Sequence, residues 1–182
     1  VLASDSAATV LASDEQGQNV VANVYNNAGK IFHLGKKSAL PIGLITWGAG
    51  SIGTSSVSTL DKDLRLAVDN DSTLHTSYTI RQVAERVRSF MYEEHYISAF
   101  QDWTQKPELG FIVAGYSTGA GQAEEYRIDI VNGECSQPVQ VRPSSAVGIT
   151  WNGMTEAVHR LLVGFSTNLA SVLVSEFSVP AE

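Results

Sequence analysis

Three closely spaced glycines follow a short apolar segment and are the most distinctive chemical feature of this chain. The segment Ile42–Gly53 reads IGLITWGAGSIG, with glycine at positions 48, 50 and 53. An apolar run that ends in glycines predicts a buried strand, followed by a tight turn that opens a helix. Such a turn exposes several backbone N–H groups together, and these groups can bind a phosphate or a developing oxyanion.

The spacing Gly48-x-Gly50-x-x-Gly53 also matches the fingerprint of dinucleotide-binding proteins. That fingerprint requires a second strand after the helix, ending in an acidic residue that binds the ribose. Here the predicted helix over residues 54–68 leads into a polar turn, and the next periodic segment is another helix. Because no βαβ unit is visible, dinucleotide binding is a remote alternative. A glycine turn that serves packing alone is the third interpretation.

Two charged residues stand at the edges of apolar segments. The segment Val1–Asp5 reads as the interior of a strand, and a carboxylate in such a segment needs a partner. The same five letters recur at Val10–Asp14, so the two copies are expected to form the arms of one hairpin. Lys30 stands at the start of a predicted strand, where a lysine taken alone is most often a surface charge.

The composition is that of an ordinary globular domain and excludes several classes of protein. The chain has 182 residues, 43% hydrophobic and 17% charged, which predicts one domain over residues 1–182 with a substantial core. Its formal net charge of −7 argues against nucleic acid and acidic membrane surfaces as partners. No apolar run approaches ~20 residues, so no transmembrane helix is predicted.

Side chains that bind metals or form disulfides are few and scattered. The four histidines form no HxxxH or HExxH pair, so neither a metal site nor a cofactor is predicted. The single cysteine, Cys135, excludes an internal disulfide and lies in a predicted turn, where a bystander thiol is expected. This cysteine usage fits a reducing cytoplasm, which is the expected location.

The periodicities predict strands, two helices, more strands and two final helices. The expected strands are Val1–Asp5, Val10–Asp14, Val20–Tyr25, Lys30–Leu34, Ile42–Thr46, Leu109–Tyr116, Glu125–Val131, Gln137–Arg142 and Ala146–Thr150. The expected helices cover residues 54–68, 79–101, 153–164 and 168–177. Leu66 and Ile97 are among the residues expected on the buried faces of the first two helices, and Thr79 with Gln82 predicts a capping box. This order indicates an α+β fold with segregated helical layers.

Four motifs in this chain resemble those of the proteasome-type N-terminal-nucleophile hydrolases, a family that includes bacterial proteasome-like proteins. Each motif alone is loose, but all four in order, with two predicted helices between the third and the fourth, are specific and span nearly the whole chain. The motifs are Val1–Thr9, with an acidic residue and a threonine four positions later; Gly29–Leu34, reading GKIFHL; Gly43–Gly50; and Ile112–Tyr116 with Tyr126–Asp129 and Gly133.

The resemblance implies a four-layer αββα sandwich and a role for each matching residue. The family's nucleophile is the first residue of the mature chain, usually threonine, and its own α-amine accepts the proton. The Lys30 ammonium would keep that amine neutral, and the Asp5 carboxylate would pair with Lys30. The backbone N–H of Gly48 would bind the tetrahedral oxyanion. Thr9 and Ala49 would line the cleft and bond the extended substrate backbone as an added strand.

The sequence departs from the family pattern at three places, and two functions therefore stay open. The nucleophile strand is missing before Val1, Ile149 stands where the family has a serine, and a C-terminal segment with a further Asp and Ser is missing. One function is a threonine-type peptidase or amide hydrolase subunit whose nucleophile precedes Val1. The other is a non-catalytic structural or gating subunit. Either would assemble with copies of itself or with homologous subunits, in a ring, and the first would act on peptides or proteins.

Overall fold

The structure is a computed structural model that describes residues 1–13, 19–26, 28–35, 41–74, 77–153, 155–166, 169, 171–173 and 175. It divides the chain into two compact units, Val1–Val147 and Gly148–Glu182. The first unit contains all the strands and three of the described α-helices, and the second contains the fourth. The expected turn over residues 15–18 and most of the expected turn over residues 35–38 lie outside the described residues.

Ten strands are described, and all strands that are hydrogen-bonded neighbours run antiparallel to each other. They are β1 (Ala8–Ser13), β2 (Asn19–Tyr25), β3 (Ile31–His33), β4 (Ile42–Gly48), β5 (Ser51–Ile52), β6 (Ser55–Ser56), β7 (Leu109–Gly115), β8 (Glu124–Val131), β9 (Glu134–Cys135) and β10 (Val139–Arg142). The main sheet has the order β10-β8-β7-β4-β3, with β9 paired to β8. The pairs β1-β2 and β5-β6 form separate two-stranded sheets.

The described residues also form four α-helices and one π-helical segment. They are α1 (Val57–Asn70), α2 (Ile80–Arg88), the π-helical segment Ser89–Tyr96, α3 (Ile97–Phe100) and α4 (Glu156–Val163). A short 3-10 turn covers Ser72–Leu74. Within the part of the chain that is described, no helix has the length and apolar character needed to cross a bilayer. The mixed α+β composition with antiparallel sheets agrees with the predicted fold class.

The helices α1 and α2 pack on one face of the main sheet, where they build the core. Side chains on β4 alternate between buried and half-buried, so that Ile42 and Leu44 point into the core. Helix α2 contacts β7 and β8, while α1 contacts β3. The capping box of α2 is formed as predicted: the Gln82 backbone amide donates to Thr79 Oγ1 at 3.2 Å, and the Thr79 backbone amide donates to Gln82 Oε1 at 2.8 Å.

The geometry after β4 excludes the dinucleotide-binding arrangement in the described residues. Both neighbours of β4 in the sheet, β3 and β7, run antiparallel to it. Helix α1 is followed by α2 and not by a parallel strand, so the required βαβ unit is missing. The short hairpin β5-β6 lies between the glycine turn and α1, and the side chain of Ser56 caps the helix by accepting the Thr59 amide at 3.1 Å. The helix therefore begins at Val57, three residues later than predicted.

Several sequence-based expectations about the elements are wrong. Residues 1–7 have no regular secondary structure, and the second copy of the repeat pairs with β2, so the two copies do not form one hairpin. Two of the four residues between the copies, Ala8 and Thr9, are already part of β1. Ile97 is 48% exposed because the i→i+5 turns of the π-helical segment place Tyr96, and not Ile97, on the buried face. Leu66 faces solvent on α1, and the expected strand Ala146–Thr150 has no regular structure.

Candidate functional site

An ion pair joins the N-terminal segment to the residue that precedes β3. Lys30 Nζ donates to Asp5 Oδ1 at 2.5 Å, across 25 positions of sequence. The hydrogen bond from the Lys30 ammonium lowers the pKa of Asp5 below its usual value. The carboxylate is therefore ionised at neutral pH, and the positive charge of Lys30 is held in one place.

Two further contacts hold the N-terminal segment over the sheet. The Ala28 amide donates to the Ser6 carbonyl at 2.8 Å, which ties the residue after Asp5 to the chain just before Lys30. At the other end of the segment, Leu2 lies on Gly43 of β4: a Cβ atom at Gly43 would be 2.5 Å from Leu2 Cδ1. A glycine at this position is what allows the close approach.

The expectation that Asp5 is a buried carboxylate is wrong. Its side chain is 66% exposed, whereas that of Lys30 is 24% exposed. The reason is that residues 1–7 cross the sheet without joining it, so Asp5 is not enclosed between two strands. The pair forms at the surface and not within a strand interior.

Lys30 is hydrogen-bonded to the strand that leads to the glycine turn. The Thr46 amide of β4 donates to the Lys30 carbonyl at 3.0 Å. Gly48 lies two residues further along β4, about 7 Å away at the usual rise of a strand. The Lys30 backbone and the glycine turn therefore lie on adjacent chain segments, with Gly48 two residues beyond the point where Lys30 bonds to β4.

The turn at Gly48 has a geometry that only glycine can adopt. Gly48 has a φ of +88°, and a Cβ atom there would lie 2.4 Å from the Glu108 carbonyl oxygen. The next amide, that of Ala49, donates to the same Glu108 carbonyl at 2.9 Å. The Ala49 N–H is thus occupied within the chain, which leaves the Ala49 carbonyl as the group that could pair with a substrate backbone.

A pocket of about 190 Å³ opens beside Gly48. Its lining includes Trp47, Glu108, Arg127 and Asp129. These four residues are the side chains near the turn to which sequence reasoning assigned no function. The strand pattern could have indicated that Arg127 and Asp129 form a pair, because residues two apart on a strand share a face.

The wall of this pocket is a packed arrangement of an indole, a guanidinium and a carboxylate. Arg127 Nε donates to Asp129 Oδ2 at 2.8 Å, and Arg127 Nη2 donates to Asp129 Oδ1 at 2.9 Å. The guanidinium carbon lies 5.6 Å from the centre of the Trp47 ring. The indole itself covers Gly110, where a Cβ atom would be 2.1 Å from two ring carbons. Each member of the wall is therefore held by the next.

The remaining predicted site residue, Thr9, lies on β1 and is exposed. Its antiparallel partner is Val24 of β2, and this pair belongs to the separate two-stranded sheet. The structure thus brings Asp5 and Lys30 together, places the Gly48 turn on the adjacent strand, and puts Thr9 on a different sheet. The roles of all five residues are still predictions.

Among the described residues, the structure shows neither an activated thiol nor a group of metal ligands. Burial raises the pKa of the Cys135 thiol to about 11, so the thiol is protonated at neutral pH and is a poor nucleophile. Within the described ranges, no group of three or more His, Cys, Asp or Glu is arranged to hold a metal ion.

Comparisons with known proteins give only a weak likeness to solved structures. No family model and no curated protein sequence matches this chain. Among solved structures, it is similar to a chain in "Helical Assembly of the Anbu Complex from Pseudomonas aeruginosa", with 17% identity and a TM-score of 0.38, over 96% of this chain and 72% of that one. The functional assignment therefore depends on the residues and the geometry described above.

Proposed function

We propose that this chain is a proteasome-like subunit of a threonine-type peptidase or amide hydrolase that works as an oligomeric ring. The observation that carries the proposal is the Lys30–Asp5 ion pair at 2.5 Å, next to the strand that ends at Gly48. The family motifs give roles to these same three residues, Asp5, Lys30 and Gly48. The four-layer sandwich of that family is part of the same proposal.

In the proposed mechanism, the attacking hydroxyl belongs to a threonine that precedes Val1 and becomes the N-terminus by processing. The α-amine of that threonine accepts the hydroxyl proton as the oxygen attacks the scissile carbonyl carbon. The ammonium of Lys30 favours the neutral form of the amine, because two adjacent positive charges repel each other. Asp5 keeps Lys30 charged and in position.

The charge that develops on the carbonyl oxygen would be bound at the Gly48 turn. A left-handed glycine turns its backbone away from the path of the strand, and Gly48 is exposed to the adjoining pocket. A fixed N–H donor at such a place is worth more to the transition state than a solvent molecule, because it needs no reorientation during the reaction. Thr9 and Ala49 would bind the substrate backbone on either side.

The test measures peptide hydrolysis by variants at Lys30, Asp5 and the control residue Lys62, in the full protein with its natural N-terminus. Lys30→Ala and Asp5→Asn should each lower kcat/KM for fluorogenic peptides by about 10²-fold or more, since both remove the activation of the nucleophile. Lys62→Ala, on the exposed side of α1, is the matched control and should leave turnover unchanged. Unchanged hydrolysis by Lys30→Ala would refute the assigned role.

A non-catalytic ring subunit is the second candidate, and Ile149 favours it, because the family pattern has a serine there. Intact-mass measurement of the natural protein separates the two. A mature chain that begins with threonine supports the peptidase, and a chain that keeps its initiator methionine supports the structural subunit.

A further inference from the structure

A second pocket, of about 240 Å³, lies between the end of the π-helical segment and the β8-β9 turn. It shares no lining residue with the pocket beside Gly48. The residues that matter for its chemistry are Tyr92, Tyr96, Phe100, Gln101, Lys106 and Gly133.

One wall of this pocket is a row of aromatic rings spaced four residues apart. The ring centres of Tyr92 and Tyr96 are 5.7 Å apart, and those of Tyr96 and Phe100 are 4.8 Å apart. Both hydroxyl groups are already used: Tyr92 donates to the Gly133 carbonyl at 3.0 Å and Tyr96 to the Pro107 carbonyl at 2.7 Å. The rings are therefore fixed. Because Tyr96 and Phe100 are almost fully buried, the apolar surface open to a ligand is that of Tyr92 and of the neighbouring Ile97.

Lys106 brings a positive charge to the lining of the pocket. Lys106 is half-buried, and in the described part of the chain it forms no ion pair. Its aliphatic stem lies across Gly133, where a Cβ atom would be 2.3 Å from Lys106 Cδ. Gly133 has a φ of +82° and no side chain, so the β8-β9 turn leaves room for the stem and directs the lysine to the pocket.

The backbone that presents the aromatic row is itself unusual. Eight consecutive residues, Ser89–Tyr96, form π-helical turns. Such turns are rare, and in α-helices they frequently occur at functional sites. Here they place Tyr92 and Tyr96 in the lining of the pocket, which also contains Lys106.

We propose that this pocket binds a small carboxylate that carries a single aromatic ring. The ring would stack on Tyr92 and contact Ile97, the two apolar lining residues that are not fully buried. The carboxylate would accept hydrogen bonds from the Lys106 ammonium and from the Gln101 amide group, whose Nε2 also donates to Asp102 Oδ2 at 3.4 Å. A pocket of about 240 Å³ is smaller than those that enclose drug-sized ligands, which favours one ring over two. A monoanion matches the single unpaired positive charge. This inference does not depend on the proposed peptidase function.

The experiment is a titration of the protein with 3-phenylpropionate, followed by amide chemical shifts and calorimetry. We expect saturable binding with a Kd of about 1 mM, with shifts at Gln101 and Gly133. The neutral analogue 3-phenylpropionamide, which lacks the charge, and hexanoate, which lacks the ring, should each bind at least about tenfold more weakly.

Two variants complete the test. Lys106→Gln should weaken binding of 3-phenylpropionate at least about tenfold, and Lys62→Gln, a lysine on the surface of α1, should leave it unchanged. Equal affinity for the acid and its amide, an unchanged Kd in Lys106→Gln, or shifts that never saturate would each overturn the proposal. The ligand series keeps the proposal testable in the unmodified protein, whatever the variants do to folding.

Discussion

At the scale of single residues, the Lys30–Asp5 pair contributes little to stability, so its proposed role in the reaction can be tested separately from folding. Asp5 is 66% exposed, and ion pairs between exposed groups contribute about 0–1 kcal/mol to folding. A pair this exposed, tied down by Leu2 against Gly43 and by the Ser6 carbonyl, orients the Lys30 ammonium while adding little to the free energy of unfolding. The Asp5→Asn variant should therefore fold normally, so that a loss of turnover reports on the reaction.

The buried carboxyl group of Asp61 lowers the free energy of unfolding at neutral pH. It lies on the buried face of α1, and its Oδ1 has no hydrogen-bond partner in the described residues. Burial raises the pKa of Asp61 from 3.8 to about 6, in spite of the opposing charges of Arg65 and Lys62. Below pH 3.8 the carboxyl is protonated in both the folded and the unfolded chain. As the pH rises from 3.8 to about 6, the unfolded chain ionises first, and the free energy of unfolding falls.

We therefore expect Asp61→Asn to raise the free energy of unfolding at pH 7 by roughly 1–3 kcal/mol. The gain should shrink below about pH 6 and vanish near pH 4, where the native carboxyl is neutral as well. Urea unfolding at both pH values measures it. Asp63→Asn, on the exposed side of the same helix, should change stability by no more than about 0.5 kcal/mol. A gain that is the same at pH 4 and pH 7 would argue against burial as its cause.

The thiol of Cys135 should be slow to react. A pKa of about 11 against the ordinary 9.0 lowers the thiolate fraction near pH 8 by roughly 100-fold. Because this is the only cysteine in the chain, a single alkylation rate can be followed by mass spectrometry. Iodoacetamide should modify the folded protein about two orders of magnitude more slowly than the protein in denaturant. Comparable rates would mean that the thiol is exposed in solution.

At the scale of elements, the wall of the Gly48 pocket is built on the strands β4, β7 and β8, and its packing depends on Gly110 of β7. Trp47, Gly110 and Asp129 are register partners on these three neighbouring strands. The missing side chain at Gly110 lets the indole lie flat on the sheet, beneath the Arg127 guanidinium. The shape of the pocket is therefore a property of the sheet register and not of a loop.

Gly110→Ala should displace the indole and lower the free energy of unfolding by about 1–3 kcal/mol, because the added methyl would overlap two ring carbons of Trp47. Gly50→Ala is the matched control: a Cβ atom there meets nothing within 4 Å. That variant should be neutral, or slightly more stable through its lower unfolded-state entropy. Urea unfolding of both variants is the measurement, and equal stabilities would contradict the proposed packing of Trp47 on Gly110.

At the scale of the whole molecule, the chain is organised as two compact units that meet in sequence at residue 147. Residues 143–155 form no regular secondary structure where they are described, and Val147 is fully exposed. Segments of this kind are preferred sites of proteolysis.

We expect limited digestion with elastase, which cleaves after small aliphatic residues, to cut first near Val147 and Ile149. The product should be a stable fragment close to Val1–Val147, identified by intact mass. Replacing both Val147 and Ile149 by aspartate should delay this cut, since it removes the aliphatic recognition residues. A first cleavage within α1 or α2 would show that the boundary is elsewhere.

Local patterns in the sequence predicted much of this architecture for identifiable reasons. The capping box at Thr79, the apolar runs of β4 and β7 and the Asn132-Gly133 turn depend on residues that are neighbours in the chain. The prediction of a strand at Val1–Asp5 was wrong because an apolar run forms a strand only if a partner strand is available. In the structure the partner β2 is taken by the second copy of the repeat.

The sequence by itself determined most of the strands and helices of the first unit, the helix cap, the turns that need glycine, and Asp5, Lys30 and Gly48 as candidate site residues. Only the tertiary structure decided that Asp5 is exposed, that Lys30 reaches it across 25 positions, and that Trp47, Arg127 and Asp129 form the wall of a pocket. The physical reason is the range of the interactions. Caps, turns and periodicity act between near neighbours, whereas an ion pair or a pocket wall depends on which strands lie side by side, and that depends on the packing of the whole sheet.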